Sequence, residues 1–108
     1  MRLHNGPFEK IKSGTKTIEM RLNDEKRQLI KVGDFIKFIN RVTEEKLTTL
    51  VKGLYYYESF DELYKHFDKI SIGYDLEDDA DPNDMSQYYS NEDNENYEVV
   101  GIEIEVTK

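Results

Sequence analysis

The chain predicts an α+β fold, a small mixed β-barrel with helices packed at its rim. Two observations carry that expectation. Apolar residues alternate with polar ones through Lys16–Leu22, Phe35–Asn40 and Glu98–Val106, as half-buried strands require. Between the last two, Lys46–Tyr57 is a long run rich in Thr, Val and Tyr, a composition suited to a pleated surface. Helical signals fall outside these runs and give the order α-β-β-β-α-α-β, which suits one sheet with helices set against it.

The first helix is predicted over Pro7–Ser13, with proline early, where its missing donor costs nothing. Gly14 stops it by supplying the positive φ that a helix C-terminus favours. The first strand, Lys16–Leu22, follows at once. Asn23-Asp24-Glu25-Lys26-Arg27 reads as a turn into Gln28-Leu29-Ile30, and Val32-Gly33-Asp34 as a tight turn into the second strand. In that strand Ile36 and Phe38 face one way, Lys37 and Ile39 the other. Gly53 inside Lys46–Tyr57 predicts a bulge or bend that helps a small barrel close.

Ser59-Phe60-Asp61-Glu62 is a capping box, and Phe60, Leu63, Tyr64 and Phe67 follow at helical spacing. Residues 75–84 hold six acids in ten positions and predict a mobile acidic loop. They lack the central glycine and terminal glutamate of a calcium loop. Asp81 and Pro82 read as cap and first residue of a third helix, with Met85, Tyr88 and Tyr89 as its apolar stripe and Ser90 as its end. Ile18, Met20, Ile36, Phe38, Val51, Leu54, Ile102 and Ile104 are expected in one barrel core, with Phe60, Leu63 and Phe67 packing a helix on it.

A length of 108 residues supports one core and a single domain over 1–108. Thirteen Tyr and Phe residues offset a modest hydrophobic content of 37%. There are no cysteines, which excludes disulfides, thiolate catalysis and Cys-ligated zinc. His4 and His66 are far apart, so no metal site is expected, and nothing calls for a cofactor. No apolar run approaches the ~18 residues of a membrane span, and the residues after Met1 form no apolar signal region. The expectation is a cytoplasmic protein with no membrane partner.

Net charge is −8, unevenly spread: residues 1–54 carry +5 and residues 55–108 carry −13. A local basic patch on an acidic molecule is therefore expected, the acidic half serving solubility or a protein partner. The candidate site is Lys16, Glu19 and Arg21, with Lys26 and Arg27 just after the strand. Glu19 and Arg21 are two apart and share the face opposite Ile18 and Met20. A lysine beside a carboxylate and a guanidinium can anchor an anion, or act as a general base if a neighbouring cation lowers its pKa. The plain alternative is an ion-paired strand face that locks the sheet. Tyr55-Tyr56-Tyr57 offers base-stacking rings, though such a run more often places two rings in the core and one outward. Lys12-Ser13-Gly14-Thr15-Lys16 lacks the spacing of a phosphate loop.

The spacing G-x-K-x-x-E-x-R over residues 14–21, followed by Lys26-Arg27 and Val32-Gly33-Asp34-Phe35-Ile36, resembles the ASCH domain, a relative of the PUA domain. The resemblance runs from Leu3 to about Val106. It implies a PUA-like barrel and binding of RNA or a nucleotide-like ligand through Lys16, Glu19, Arg21, Lys26 and Arg27. Tyr89 and Ser90 join them, because the family tends to have a Tyr-Ser-like helix end near the cleft. A related branch, the acetylcytidine amidohydrolases, uses a lysine and a nucleophilic threonine three apart on the first strand, with a glutamate from elsewhere. Lys16 matches that lysine, but Glu19 stands where the threonine would be, and Thr17 is out of place. Covalent threonine chemistry is therefore in doubt. Hydrolysis of an acylated nucleoside would fall to Glu19 and Lys16 acting through water. The function classes are thus an RNA or nucleotide binder, a small amidohydrolase, and a protein-interaction module using the acidic half.

Overall fold

The computed structural model describes residues 1–89 and 96–107. Five strands form one mixed sheet: β1 (Arg2–Leu3), β2 (Ile18–Leu22), β3 (Phe35–Asn40), β4 (Lys46–Tyr57) and β5 (Val99–Val106). Their order across the sheet is β1-β3-β4-β5-β2, with β1 parallel to β3 and the other pairs antiparallel. The sheet curls into a half-barrel whose edges are β1 and β2. Among the described residues two α-helices, α1 (Asn5–Ser13) and α2 (Phe60–His66), accompany it, with short 3-10 turns at Arg27–Leu29 and Pro82–Gln87.

Local chemistry explains most boundaries. Gly14 ends α1 at φ 87° and its N–H bonds back to the Ile11 and Lys10 carbonyls. The helix begins at Asn5, earlier than predicted. Pro7 is tolerated because it lies in the first turn, where backbone donors have no helical acceptor. Ser59 caps α2 by accepting from the Glu62 N–H at 3.3 Å, as its capping box predicts. The register between β4 and β5 shifts between Val51 and Gly53, the bulge expected at that glycine. The segment after Asp81 forms a 3-10 turn in place of an α-helix. Asp81 caps it, accepting from the Asn83 N–H at 2.9 Å.

The core is divided, which corrects the expectation of a single cluster. Phe8 and Ile11 of α1 pack with Leu3, Ile36, Phe38, Val51, Val100, Ile102 and Ile104 on one face. On the other, Ile18, Met20, Leu22 and Val99 pack with Phe60, Leu63, Ile72 and Met85. Neighbours Val99 and Val100 belong to different clusters, so β5 is covered on both faces. Leu54 and Phe67 are only partly buried, at the margins of the two clusters. Gly101 sets how closely α2 approaches the sheet. A Cβ there would stand 3.3 Å from Ile18 and 3.4 Å from Phe67.

The tyrosine run also departs from expectation. Tyr55 and Tyr56 are exposed and only Tyr57 is half-buried. Tyr55 and Tyr57 meet Phe67 edge-on, at 5.6 and 6.1 Å between ring centroids. They lean on the rim of α2 and do not enter the core. The acidic loop is folded on itself in this structure. Lys69 Nζ donates to the carbonyls of Leu76 and Asp78, and the Asp78 carboxylate accepts from the Asp75 N–H. No helix among the described residues is long and apolar enough to cross a membrane.

Candidate functional site in the open seam of the half-barrel

A cavity of about 460 Å³ lies where the sheet fails to close, lined by Arg2 and Leu3 of β1 and by Glu19, Met20 and Arg21 of β2. Its remaining walls come from His4 and Pro7 at the start of α1, Arg41 after β3, Tyr64 of α2, and residues 72–74, 84–85 and 88–89. The site thus uses both edges of the sheet and part of the α2–β5 connection.

Lys16, Glu19 and Arg21 meet in this cavity. Glu19 and Arg21 pair in register with Ile102 and Val100, so both project from the face that carries the α1 cluster. Lys16 precedes β2, where its N–H donates to the Lys10 carbonyl, and the N–H groups of Thr17 and Ile18 donate to Ser71. These bonds tie the strand's entry to α1 on one side and to the 69–74 turn on the other. Lys16 Nζ donates to Glu19 Oε1 at 3.0 Å, with the two side chains only 8% and 5% exposed. The same oxygen accepts from the Met20 N–H at 3.2 Å, and Arg21 reaches Oε2 at 3.4 Å.

Electrostatics follow from that geometry. Burial alone would push the Glu19 carboxyl up, but Lys16 and Arg21 hold it below the usual carboxylate range. Arg21 loses solvation too, yet Glu19 and the Tyr89 hydroxyl keep its pKa above the ordinary value. Tyr89 is fixed in turn by stacking on Phe60, with centroids 6.0 Å apart and planes 17° apart. Both Glu19 oxygens are occupied by fixed donors. The carboxylate is therefore a buried anchor that orients two cations, leaving the remaining Lys16 and Arg21 donors for an occupant.

The other predicted site residues divide. Tyr89 lines the cavity, and Ser90 lies outside the described residues. Lys26 and Arg27 do not line it. Asp24 captures Arg27 instead, accepting from its N–H at 3.0 Å and from its guanidinium at 3.1 Å. Both cations lie near the Met1 amine, whose pKa is lowered first by burial and then by Arg21, Arg27 and Lys26.

Sequence reasoning missed Arg2, Arg41, Tyr64, Tyr74 and Asp84, all of which line the cavity. Tyr64 reads as part of an apolar helix stripe and Asp84 as the last residue of the acidic loop, while Tyr74 falls just before that loop and carries no signal of its own. In the structure Tyr64 and Tyr74 share a hydrogen bond of 2.8 Å, and the Tyr74 hydroxyl lies 2.7 Å from Asp84 Oδ2. Burial, with the bonds to Tyr64 and Asp84, pushes the Tyr74 phenol well above its ordinary value. It stays a neutral donor at physiological pH.

An α+β half-barrel with a polar, cation-lined seam defines the class of protein. The ASCH domain model matches residues 1–108, and the chain belongs to that family. The crystal structure of the hypothetical protein PH0355 is similar, with 35% identity and a TM-score of 0.80 over 99% of this chain and 96% of that one. The solution NMR structure of protein PF0455 from Pyrococcus furiosus is 33% identical, with a TM-score of 0.69 over 100% of this chain and 99% of that one. No curated protein matches the chain.

Proposed function

We propose that this cleft binds RNA or a nucleotide-like ligand. The observation that carries the reading is the buried Lys16–Glu19–Arg21 cluster at the base of a cavity walled by Tyr64, Tyr74, Tyr88 and Tyr89. Fixed cations suit phosphate or carbonyl oxygens, and tyrosine faces suit nucleobases at ~1–3 kcal/mol per stacked base. The volume is in the range of pockets that hold a compact organic ligand. Four cations, Arg2, Lys16, Arg21 and Arg41, against two acids, Glu19 and Asp84, give the cavity lining a positive balance on an acidic chain. Replacing Lys16 and Arg21 together tests the reading, with ribonucleosides, nucleotides and short single-stranded RNAs as probes. Binding should be lost at temperatures where far-UV circular dichroism still reports the fold, since the unpaired Glu19 lowers stability, and RNA affinity of the wild type should fall steeply with added salt. Unchanged affinity in the double variant would remove the cleft from consideration and favour a protein partner on the acidic half.

Hydrolysis of an acylated nucleoside such as acetylcytidine is the second reading. Its specific support is the Lys16 ammonium, held 3.0 Å from a carboxylate inside a cavity. Against a water-activating role, the Glu19 oxygens already accept from Lys16, Met20 and Arg21, and its depressed pKa makes it a weak base.

A further inference from the structure

The cationic side chains of the cavity fall into two groups with different states of neutralisation. Lys16 and Arg21 share the Glu19 carboxylate and are largely committed to it. Arg2 and Arg41 come from the opposite edge of the sheet, on β1 and just beyond β3. Arg41 makes no ion pair among the described residues. Among the described residues Arg2 pairs with Glu44 alone, at 3.5 Å, with side chains 51% and 67% exposed, a loose and solvent-screened contact.

Arg41 is nevertheless held by a built support. Its N–H donates to the Leu3 carbonyl at 2.8 Å, tying it to β1. The residue before it, Asn40, is fully buried and acts as a clamp. Asn40 Oδ1 accepts from the N–H groups of Val42 and Thr43 at 2.8 and 3.3 Å, and its amide donates to Asn5 Oδ1 at 3.0 Å. A buried polar side chain satisfied in this way fixes the turn that carries Arg41, even though the arginine itself is exposed. An unpaired guanidinium on a fixed turn, beside a second weakly paired one and above a cavity, is suited to a phosphate, which accepts bidentate N–H donation.

We infer that Arg41, assisted by Arg2, forms a phosphate subsite on the β1–β3 side of the cavity, so the occupant is a phosphorylated nucleotide unit and not a free base or nucleoside. This rests on the nucleotide-binding reading of the cleft. The phosphate would sit at the two arginines while the rest of the ligand extends toward Lys16, Arg21 and the tyrosines. The chemistry is shared by a free nucleoside monophosphate and by one unit of an RNA chain.

The experiment is titration calorimetry at low salt with the four ribonucleosides, their 5′-monophosphates and a short single-stranded RNA of mixed sequence. Wild type, Arg41→Gln, Arg41→Ala and Lys65→Gln are compared, the last removing one positive charge from α2 outside the cavity. Wild type should bind at least one monophosphate about tenfold or more tightly than its nucleoside, and Arg41→Gln should bring that ratio close to one. Loss for monophosphate and RNA alike identifies a terminal phosphate. Loss for RNA alone, with no monophosphate bound, identifies a chain phosphodiester. Either supports the subsite. Equal affinity of nucleosides and monophosphates with RNA binding indifferent to Arg41, or an effect no larger than that of Lys65→Gln, overturns it while leaving the cleft reading intact. Absence of binding by every probe overturns both. Arg41 is exposed, so unchanged melting midpoints should accompany these variants; should Arg41→Ala loosen the turn, Arg41→Gln keeps the side-chain stem.

Discussion

Gly73 leaves the space that the stem of Lys16 occupies. A Cβ on Gly73 would stand 3.3 Å from Lys16 Cδ, and the residue holds φ at +113°, where side chains are strained. The Gly73 carbonyl also accepts from Lys10 Nζ at 2.7 Å, so the turn cannot easily move aside. The cluster at the base of the cavity therefore depends on a residue outside the strand that carries it.

Gly73→Ala should destabilise the protein by about 1–3 kcal/mol, the usual range for one residue in a sparsely populated backbone region. Urea denaturation measures it. The substitution should also weaken any ligand that contacts Lys16, since the lysine must shift. An alanine variant as stable as wild type would mean that the turn relaxes freely.

Breaking the buried pair should be more costly. Glu19→Gln leaves Lys16 with its charge and no carboxylate, and loss of one partner of a buried pair typically costs about 3–5 kcal/mol. The pH dependence has a definite sign. Glu19 has a lowered pKa when folded, so its contribution is fully present above the ordinary value of 4.5 and is lost as pH falls through the folded value. Wild-type stability should decline on acidification below about pH 4.5, and that part of the decline should be missing from Glu19→Gln. Denaturation midpoints collected between neutral pH and the acid limb test both statements.

Leu63 is fully buried where α2 meets the sheet, and Ile102 is fully buried on the other face. Truncating either to alanine should cost about 2–5 kcal/mol. The two variants should differ in one respect. Leu63→Ala loosens α2 and with it Tyr64, so it should also lower ligand affinity in the cleft; a purely thermodynamic effect at both positions would uncouple α2 from the site.

For hydrolysis, the expected result is that wild type releases no acetate from acetylcytidine, because the Glu19 carboxylate is fully engaged. Turnover by wild type that falls roughly 10²–10⁴-fold in Glu19→Gln, with ligand affinity retained, would instead establish the amidohydrolase reading.

The sequence makes β3, and β5 from Val100 onward, legible by apolar alternation and β4 by its Thr-, Val- and Tyr-rich composition, and their observed bounds agree closely with those expected. The cap of α2 is local chemistry and is equally readable. β1 is not, since two residues carry no periodicity and its parallel partner β3 lies more than thirty positions along the chain. The division of the core is visible only afterwards in the Val99-Val100 doublet, an apolar pair that breaks alternation because both faces of β5 are covered. At the site, Lys16, Glu19 and Arg21 are readable because they share one strand entry. Arg41, Tyr64 and Tyr74 are not, because tertiary folding alone brings them to the cavity. Lys26 and Arg27 mislead for the converse reason: they are neighbours of the strand in sequence, but Asp24 holds Arg27 and neither lines the cavity.

The unclosed seam has a consequence for the behaviour of the protein in concentrated solution. Free strand edges are templates on which a second chain can add a strand, the first step toward aggregation. Here one edge, β1, is only two residues long and bears Arg2. The start of the other, β2, is already occupied by the Ser71 carbonyl, and Arg21 stands farther along it. Short length, an occupied backbone and paired cations are the same devices by which soluble sheets avoid unwanted self-association. Neutralising Arg2 and Arg21 would thus remove more than cavity charge: it would strip each free edge of a cation that discourages strand addition.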